Sequence, residues 1–287
     1  MLIYIIECRD KETKKGDKNR RLNKVKTVIL CGGQGTRLQE ATGGLMPKPM
    51  VEIGEKPMLW HIMKGYAHFG IKDFVLCLGH LGNVVKKYFL HFEALNSDFT
   101  IKLGSSGECV FHKSHHCFDW NVTLAETGLQ TMTGARVAKI KRYVGDETFL
   151  LTYGDGVADV DIKRLVEFHK EHGKIATITG VNPIGRFGKL SVVGTKVYAF
   201  EEKPASGAGG RINGGFFVFN SGIFDYVCFD DNCILEREPL EKLARNGELM
   251  MYAHDGFWQC MDTLRDLMLL RKLWDTGKPP WRVWETE

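Results

Sequence analysis

Residues 28–38 read V-I-L-C-G-G-Q-G-T-R-L, a short apolar strand that runs directly into a turn with three glycines. Gly32, Gly33 and Gly35 lack the side chains that would keep a polyanion away from the backbone N–H groups. Arg37 adds a permanent planar cation that can bind two phosphate oxygens at once. The residue sequence of this turn matches neither the P-loop motif nor the dinucleotide-binding fingerprint. The stretch therefore predicts a phosphate-binding turn, and a plain glycine-rich surface turn is the alternative.

A second short motif, Pro47-Lys48-Pro49, follows this turn. Both prolines fix φ, and the second keeps Lys48 out of helical geometry. A cation on so stiff a segment suits a catalytic position near the glycine turn. An ordinary loop lysine is the alternative.

The distribution of charge and cysteine excludes several classes of partner. The net charge is +4, but the first 26 residues carry nine Lys/Arg against four Asp/Glu, so the remainder is close to neutral and offers no basic face for nucleic acid. The eight cysteines form no Cys-x-x-Cys pair, which is typical of a reducing cytoplasm. The apolar run at residues 1–6 is too short for a signal-peptide core or a membrane span. We therefore expect a cytoplasmic protein with no nucleic-acid or membrane partner.

Short apolar runs alternate with amphipathic helical patterns, which predicts an α/β fold: a mixed, mostly parallel sheet flanked by helices. From residue 175 short strands dominate, which indicates a smaller antiparallel lobe. We expect residues 1–25 to form a mobile N-terminal extension and residues 26–287 a single domain. The predicted strands are residues 27–31, 74–78, 99–103, 148–153, 175–179, 190–193, 197–200 and 216–219, and the predicted helices are residues 58–69, 84–92, 135–144, 161–172, 240–245 and 264–274.

Two aspartates are candidates for holding a divalent metal. Asp155 follows a predicted buried strand and lies between Gly154 and Gly156. In an open α/β sheet, ligands bind outside the carboxyl ends of the strands, and phosphoryl chemistry usually needs a cation held by carboxylates. Asp262 is a second such carboxylate, although it could instead be the N-cap of the last helix, or serve in both ways. An aspartate in an ordinary turn is the alternative for Asp155.

Glu202, Lys203 and Asn213 place a carboxylate, a lysine and an amide close together around a glycine-rich loop. This set suits a phosphorylated, hydroxyl-rich ligand, with the lysine on the phosphate and the other two groups on the hydroxyls. The alternative is an ordinary charged hairpin with a glycine in its turn, which would show the same residue pattern.

Cysteines and histidines also cluster at residues 109–117, as Cys109-x-x-His112-x-x-His115-His116-Cys117. The spacing fits none of the usual structural zinc patterns. We do not expect a functional metal there.

The glycine turn and the Pro-Lys-Pro motif together resemble the signature of the sugar-phosphate nucleotidyltransferases. Further segments resemble the branch of that family that uses CTP and glucose 1-phosphate, and the likeness runs from about Lys26 to the C-terminus. These segments are M-V-E-I-G (50–54), L-W-H-I-M-K (59–64), W-N-V-T-L (120–124), L-T-Y-G-D-G-V-A-D (151–159), G-R-F-G (185–188), I-N-G-G-F-F-V (212–218), G-F-W-Q (256–259) and M-D-T-L-R-D (261–266). The resemblance implies a Rossmann-like nucleotidyltransferase fold with a sugar-side lobe.

The resemblance also implies the reaction CTP + α-D-glucose 1-phosphate → CDP-glucose + pyrophosphate, with Mg²⁺, in deoxysugar and O-antigen biosynthesis. Arg37 and the glycine turn would hold the triphosphate, Lys48 would neutralise the α-phosphate, and Asp155 with Asp262 would hold Mg²⁺. Arg37, Lys48 and Asp155 would be the catalytic residues. The substrate-binding residues would be Leu30, Gly32, Gly33, Gly35, Thr36, Thr127, Arg136, Gly154, Glu202, Lys203, Asn213 and Gly215.

Two other functions remain open from the residues. One is the same reaction with UTP or dTTP, since base choice depends on contacts that composition does not reveal. The other is a nucleotide-sugar-binding regulator without turnover, although such a protein has no need for all four of Arg37, Lys48, Asp155 and Asp262. We also expect a homo-oligomer, with the segment 109–120 and the tryptophans Trp274, Trp281 and Trp284 as candidate assembly surfaces.

Overall fold

The structure, a computed structural model, describes residues 25–38, 43–104, 109–112, 119–182, 189–193, 196–201 and 210–285. The predicted N-terminal extension, apart from Val25, lies outside the described residues, as do Glu202 and Lys203. Among the described residues, no helix is both long enough and apolar enough to cross a bilayer.

A seven-stranded sheet in the order β14-β10-β13-β8-β1-β4-β7 forms the centre of the molecule. β1 pairs in parallel with β4 and β8, β4 with β7, and β10 with β14, whereas β13 is antiparallel to both of its neighbours. The predicted fold class, a mixed and mostly parallel sheet, is confirmed. The strands are β1 (Lys26–Leu30), β2 (Glu52–Ile53), β3 (Lys56–Pro57), β4 (Asp73–Leu78), β5 (Phe99–Ile101), β6 (Cys109–Phe111), β7 (Asn121–Glu126), β8 (Phe149–Tyr153), β9 (Gly156–Ala158), β10 (Ala176–Val181), β11 (Lys189–Val193), β12 (Lys196–Glu201), β13 (Ile212–Phe219), β14 (Leu249–His254) and β15 (Trp258–Cys260).

Helices pack on both faces of this sheet, and local sequence explains where several of them begin and end. The helices are α1 (Met58–His68), α2 (Gly82–Leu90), α3 (Phe92–Asn96), α4 (Thr133–Lys139), α5 (Lys141–Val144), α6 (Ile162–His172), α7 (Glu238–Arg245) and α8 (Leu264–Asp275). The Asp161 side chain accepts a hydrogen bond from Arg164 N at the start of α6, and Gly173 ends that helix with a φ of 65°. Thr263 and Asp266 form a reciprocal capping box at the start of α8.

The core has two layers because alternate side chains of a strand point to opposite faces of the sheet. In β1, Ile29 joins the layer beneath α1, α6 and α8, whereas Val28 and Leu30 join the layer beneath α4 and α7. All three side chains are buried. β1 is thus covered on both faces and lies between β4 and β8 inside the sheet.

The predicted strand at residues 99–103 is confirmed as the shorter β5, which forms an exposed hairpin with β6 outside the main sheet. Two expectations about secondary structure were wrong. β7 pairs with β4 in the main sheet, although its residues were predicted as neither strand nor helix. The predicted helix 135–144 is interrupted at Ile140, so that α4 and α5 are separate.

The tryptophan-rich tail is also not an exposed surface. Trp281 is 1% exposed and Trp284 9% exposed. Trp274, Trp281 and Trp284 surround the buried His61 ring with centroid distances of 4.6, 6.1 and 6.3 Å. The expectation of an assembly surface there was wrong, because these rings complete the chain's own core.

Candidate active site

The glycine turn, defined here as residues 31–35, begins where β1 ends at the middle of the sheet. Leu30 is in register with Cys77 of β4 and with Tyr153 of β8. The chain continues from β1 to β4 on one side and reaches β8 later on the other, so this is the point at which the strand order reverses. Crevices that bind ligands in open α/β sheets form at such points. The turn therefore lies where the sheet itself provides a cleft.

Backbone hydrogen bonds and close approaches hold the turn. Cys31 N donates to Cys77 O at 3.0 Å, and Gly154 N donates to Leu30 O at 3.1 Å. A Cβ on Gly154 would lie 2.8 Å from Pro49 Cγ and 3.0 Å from Leu30 O, so this close approach requires a glycine. Gly35 has a φ of +60°. The glycines thus allow the turn to pack closely against the ends of β1 and β8.

Arg136 supports the turn from behind. Its NH2 donates to Gly32 O at 3.0 Å, and its NH1 donates to Leu78 O at 2.8 Å and to Thr127 Oγ1 at 2.6 Å. Arg136 and Thr127 are 4% and 2% exposed. Burial lowers the pKa of the Arg136 guanidinium from its ordinary value. Both residues, expected from the sequence to lie near the nucleotide, are therefore part of the framework that holds the glycine turn.

Lys48, Asp155, Asp262 and Arg37 meet in one charged cluster. Lys48 Nζ lies 3.0 Å from Asp155 Oδ2 and 2.6 Å from Asp262 Oδ1. Arg37 NH1 lies 3.0 Å from Asp262 Oδ2. Burial acts to lower the pKa of Lys48, but the two carboxylates together outweigh it and raise that pKa above 10.5. Lys48 is therefore a protonated ammonium at neutral pH.

The two cations of this cluster differ in exposure. The Lys48 side chain is 12% exposed and the Arg37 side chain 70%. Lys48 is the first residue of a 3-10 turn over residues 48–50. The expectation that Pro49 keeps Lys48 out of helical geometry was therefore wrong, although Lys48 does lie in a fixed turn between the two prolines. Lys48 is thus fixed inside the cluster, whereas Arg37 reaches it from the solvent side.

Asp262 is not the N-cap of α8. Thr263 takes that position, and the Asp262 N–H donates to Asp266 Oδ2 at 3.2 Å. The cap alternative was wrong because the capping box already occupies the helix start. The Asp262 carboxylate points to Lys48 and Arg37 instead.

Asp155 and Asp262 fit a magnesium ion by the chemistry of their donors. Each places one carboxylate oxygen within 3.0 Å of the same Lys48 nitrogen, so the two acids already face one cationic centre. Among the described residues, no group of three or more His, Cys, Asp or Glu side chains gathers in a way that could hold a metal. Mg²⁺ is commonly held by one or two carboxylates together with substrate phosphates and water, which matches this set.

A cleft of about 650 Å³ lies over the glycine turn and over Lys48 and Asp155 of the charged cluster. Eight of the residues that the sequence proposed for catalysis or substrate binding line it. These eight are Leu30, Gly32, Gly33, Gly35, Lys48, Arg136, Gly154 and Asp155. The cleft thus gives a ligand access to the glycine turn and to the partly buried Lys48 ammonium.

Comparison with known proteins agrees with this geometry. The nucleotidyl transferase family matches residues 26–268. The chain belongs to that family. The match begins at β1 and continues into α8, and so includes the glycine turn, both aspartates and Lys48.

Similar members of the family differ in the nucleotide and sugar that their names specify. A glucose-1-phosphate cytidylyltransferase of Salmonella typhi is 52% identical over 262 residues, which cover 91% of this chain and all of that protein. A mannose-1-phosphate guanyltransferase of Neurospora crassa is 29% identical over 250 residues, covering 85% of this chain and 62% of that protein. The crystal structure of HddC from Yersinia pseudotuberculosis superposes with a TM-score of 0.62 at 22% identity, over 87% of this chain and 99% of that one, which shows the shared fold.

Asn213 and Gly215 lie at the start of β13, next to Tyr153. Asn213 Nδ2 donates to the Tyr153 hydroxyl at 3.2 Å, and Asn213 Oδ1 accepts from Gly215 N at 2.8 Å. A Cβ on Gly215 would lie 2.5 Å from Tyr153 Cδ2, so this glycine allows the tyrosine ring to pack on the strand. Both residues are therefore held against the cleft-lining Tyr153.

Sequence reasoning missed one wall of the cleft, residues 129–133. Gln34 Nε2 donates to Gln130 Oε1 at 3.2 Å across the opening. The wall is held from far along the chain, because Thr131 Oγ1 donates to Asp231 Oδ1 at 2.8 Å and Met132 N donates to Asp231 O at 2.8 Å. Asn232 lines the cleft beside it. This segment carries no motif or periodicity, so these contacts had no signal in the sequence.

The Cys/His cluster of residues 109–117 is only partly described. Cys109 lies on β6, and His112 Nε2 forms a 2.8 Å hydrogen bond with Thr100 Oγ1. His115, His116 and Cys117 lie outside the described residues. The expectation that this segment holds no functional metal stays a prediction.

Proposed function

We propose that this chain transfers a cytidylyl group from CTP to α-D-glucose 1-phosphate and releases CDP-glucose and pyrophosphate. The observation that carries the assignment is 52% identity to a glucose-1-phosphate cytidylyltransferase across all of that relative's length. The guanyltransferase relative is only 29% identical. The cleft geometry supports nucleotidyl transfer, and the closer likeness supports the choice of CTP and glucose 1-phosphate.

The reaction needs positioning and charge stabilisation rather than a general base. A phosphate oxygen of glucose 1-phosphate is already anionic at neutral pH and attacks the α-phosphorus of CTP. The bond to the β-phosphate breaks, and pyrophosphate leaves with its electron pair. Lys48, partly buried and protonated, offsets charge on the α-phosphate while the new bond forms and the bond to the β-phosphate breaks. The second requirement is to hold the two anionic substrates in line, because this makes the step between two substrates effectively unimolecular.

The triphosphate lies over the glycine turn in this proposal. Backbone groups at Gly32, Gly33 and Gly35 bind its oxygens, with Leu30 and Thr36 beside them. Arg37, which is 70% exposed at the edge of the cluster, binds the outer phosphates. An exposed arginine can reach an entering nucleotide without losing the ion pair that positions it.

Asp155 and Asp262 would hold Mg²⁺ together with the nucleotide phosphates. The ion would supply positive charge next to the phosphates, which is the role divalent cations have in phosphoryl chemistry. The Lys48 ammonium that both acids contact at present would then be available to the α-phosphate.

The sugar phosphate lies on the side of Tyr153 where Asn213 and Gly215 are found. Glu202 and Lys203, which belong to the same predicted site, address its hydroxyls and phosphate. The product CDP-glucose would enter deoxysugar biosynthesis for surface polysaccharide. We keep a homo-oligomer as part of the proposal, to be checked by light scattering.

One assay tests the function. Purified protein is incubated with Mg²⁺, glucose 1-phosphate and each of ATP, GTP, CTP, UTP and dTTP in turn, and pyrophosphate release is measured. Turnover with CTP well above the other four is the expected result. Turnover with UTP or dTTP alone would reject the cytidine assignment, and nucleotide binding without any turnover would point to a regulator.

A further inference from the structure

Glu236 belongs to none of the motifs found in the sequence, yet its carboxylate contacts two side chains that line the cleft. The Tyr153 hydroxyl donates to Glu236 Oε1 at 2.5 Å. The Thr133 hydroxyl donates to Glu236 Oε2 at 2.6 Å. Tyr153 and Thr133 lie on different walls of the cleft, at the end of β8 and at the first residue of α4. One carboxylate therefore joins two walls that are 20 residues apart in the chain.

On the sugar side, the network continues from Tyr153 to the predicted ligand-binding amide. The Tyr153 hydroxyl donates its only hydrogen to Glu236 and accepts from Asn213 Nδ2 at 3.2 Å. Asn213 Oδ1 accepts from Gly215 N at 2.8 Å. An ionised carboxylate can only accept and a backbone N–H can only donate, so Glu236 sets the direction of the Tyr153 bond and Gly215 N–H sets the direction of the Asn213 Oδ1 bond. The Asn213 amide is thus oriented from both ends of this series. The Asn213 amide is left with one N–H and one oxygen lone pair for a ligand.

On the other wall, Thr133 is fixed in the same manner. Its hydroxyl donates to Glu236 and accepts from Leu235 N at 2.9 Å. A threonine hydroxyl has one hydrogen and two lone pairs, so only one acceptor position remains for the cleft. Removing the carboxylate would free the hydroxyl to rotate and would leave the hydroxyl hydrogens of Thr133 and Tyr153 without their acceptor.

The surroundings favour a strong effect of these bonds. Glu236, Tyr153 and Thr133 are all partly buried. Burial, and then the neighbouring Glu236 charge, raise the pKa of Tyr153 far above its ordinary value, so its hydroxyl remains a donor throughout the working pH range. Hydrogen bonds to a charged group in such a site are stronger than neutral ones.

We propose that Glu236 is a positioning residue for the reaction, which orients the Asn213 amide through Tyr153 on one wall and the Thr133 hydroxyl on the other. The inference rests on the proposed function only for what binds at each wall: sugar phosphate next to Asn213 and nucleotide next to Thr133. Glu236 itself does not touch the reacting atoms in this account.

The test compares KM for each substrate in Glu236→Ala, Tyr153→Phe and Thr133→Val. We expect Glu236→Ala to raise KM for both substrates about tenfold, because it releases both ends of the network. Tyr153→Phe is expected to raise KM for glucose 1-phosphate alone, and Thr133→Val to raise KM for the nucleotide alone. Glu241→Gln is the matched control, since Glu241 is an exposed carboxylate on α7, and its KM values should equal those of the wild type.

A merely structural role would give a different result. Partial unfolding lowers the active fraction and hence the apparent kcat, but leaves KM unchanged. If Glu236 acts through Tyr153, the double variant Glu236→Ala/Tyr153→Phe will show the same KM for glucose 1-phosphate as Glu236→Ala alone. Additive changes in that double variant, or KM values within twofold of wild type in Glu236→Ala, would overturn the inference.

The design separates this inference from the proposed function. KM is measured with whichever nucleoside triphosphate supports turnover, so a wrong base assignment does not affect the comparison. If no nucleotide is turned over, the dissociation constants of glucose 1-phosphate and of CTP are measured by calorimetry on the same variants. The expected pattern of changes is the same, and its absence counts against Glu236 in the same way.

Discussion

Replacing Lys48 by methionine tests the centre of the proposed mechanism. The side chain keeps its unbranched shape and most of its length, while the ammonium that lies 3.0 Å from Asp155 and 2.6 Å from Asp262 is removed. Losing one preorganised electrostatic contact in an active site costs about 10²–10³ in kcat. Lys48 carries a full charge and is 12% exposed, so we expect about 10³, or about 4 kcal/mol of transition-state stabilisation.

The same change should also lower stability in a pH-dependent way. Two carboxylates that shared one ammonium would face each other, and their repulsion favours protonation of one of them. The two side chains are 27% and 23% exposed, so solvent screens part of this cost and we expect about 1–3 kcal/mol at pH 7. The loss should shrink as the pH falls, because a carboxyl whose folded pKa is raised binds its proton more readily in the folded state. In the wild type the raised pKa of Lys48 acts in a different pH range: the ammonium stabilises the fold up to its ordinary pKa of 10.5, and this contribution is lost only as the pH rises through the folded value.

Steady-state pyrophosphate release and urea denaturation at pH 5 and pH 8 measure the two effects. Lys72→Met is the matched control, because Lys72 forms an exposed ion pair with Asp119 and should change stability by less than about 1 kcal/mol with no effect on kcat. A Lys48→Met enzyme with kcat within tenfold of wild type would remove Lys48 from the mechanism. An equal stability loss at both pH values would refute the account of the facing carboxylates.

Three further outcomes are expected. Gly32→Ala should abolish nucleotide binding, measured by calorimetry, because its Cβ would lie 2.2 Å from Arg136 NH1. Gly33→Ala is the matched control: its Cβ meets nothing within 4 Å, so its thermal melt should equal that of the wild type. Arg136→Ala should cost about 3 kcal/mol in urea denaturation, since it leaves the Gly32 carbonyl and its other acceptors without their donor; a change under about 1 kcal/mol would contradict its supporting role. Asp155→Asn and Asp262→Asn should each raise the Mg²⁺ concentration for half-maximal activity at least tenfold, and an unchanged magnesium titration would exclude that residue as a ligand.

Features that depend on local backbone geometry could be predicted from the sequence. Three examples are the glycine turn, the position of Lys48 between two prolines and the caps of α6. Each depends on a few neighbouring residues, because it requires a particular φ, a missing Cβ or a nearby hydrogen-bonding group. The buried strands β1, β4 and β8 could be recognised in the same way from their apolar runs. The sequence could therefore place the phosphate-binding turn at the end of a central strand.

Other features required the tertiary structure. β7 has a half-buried pattern without clear alternation, and only its pairing with β4 brings it into the sheet. Lys48 meets Asp155 and Asp262 across 107 and 214 residues, and Glu236 meets Thr133 across 103. Such contacts depend on which strand ends adjoin at the point where the strand order reverses, and no local pattern encodes that. The residue types of the site were thus set by local chemistry, whereas their convergence on one cleft was decided by the topology of the sheet.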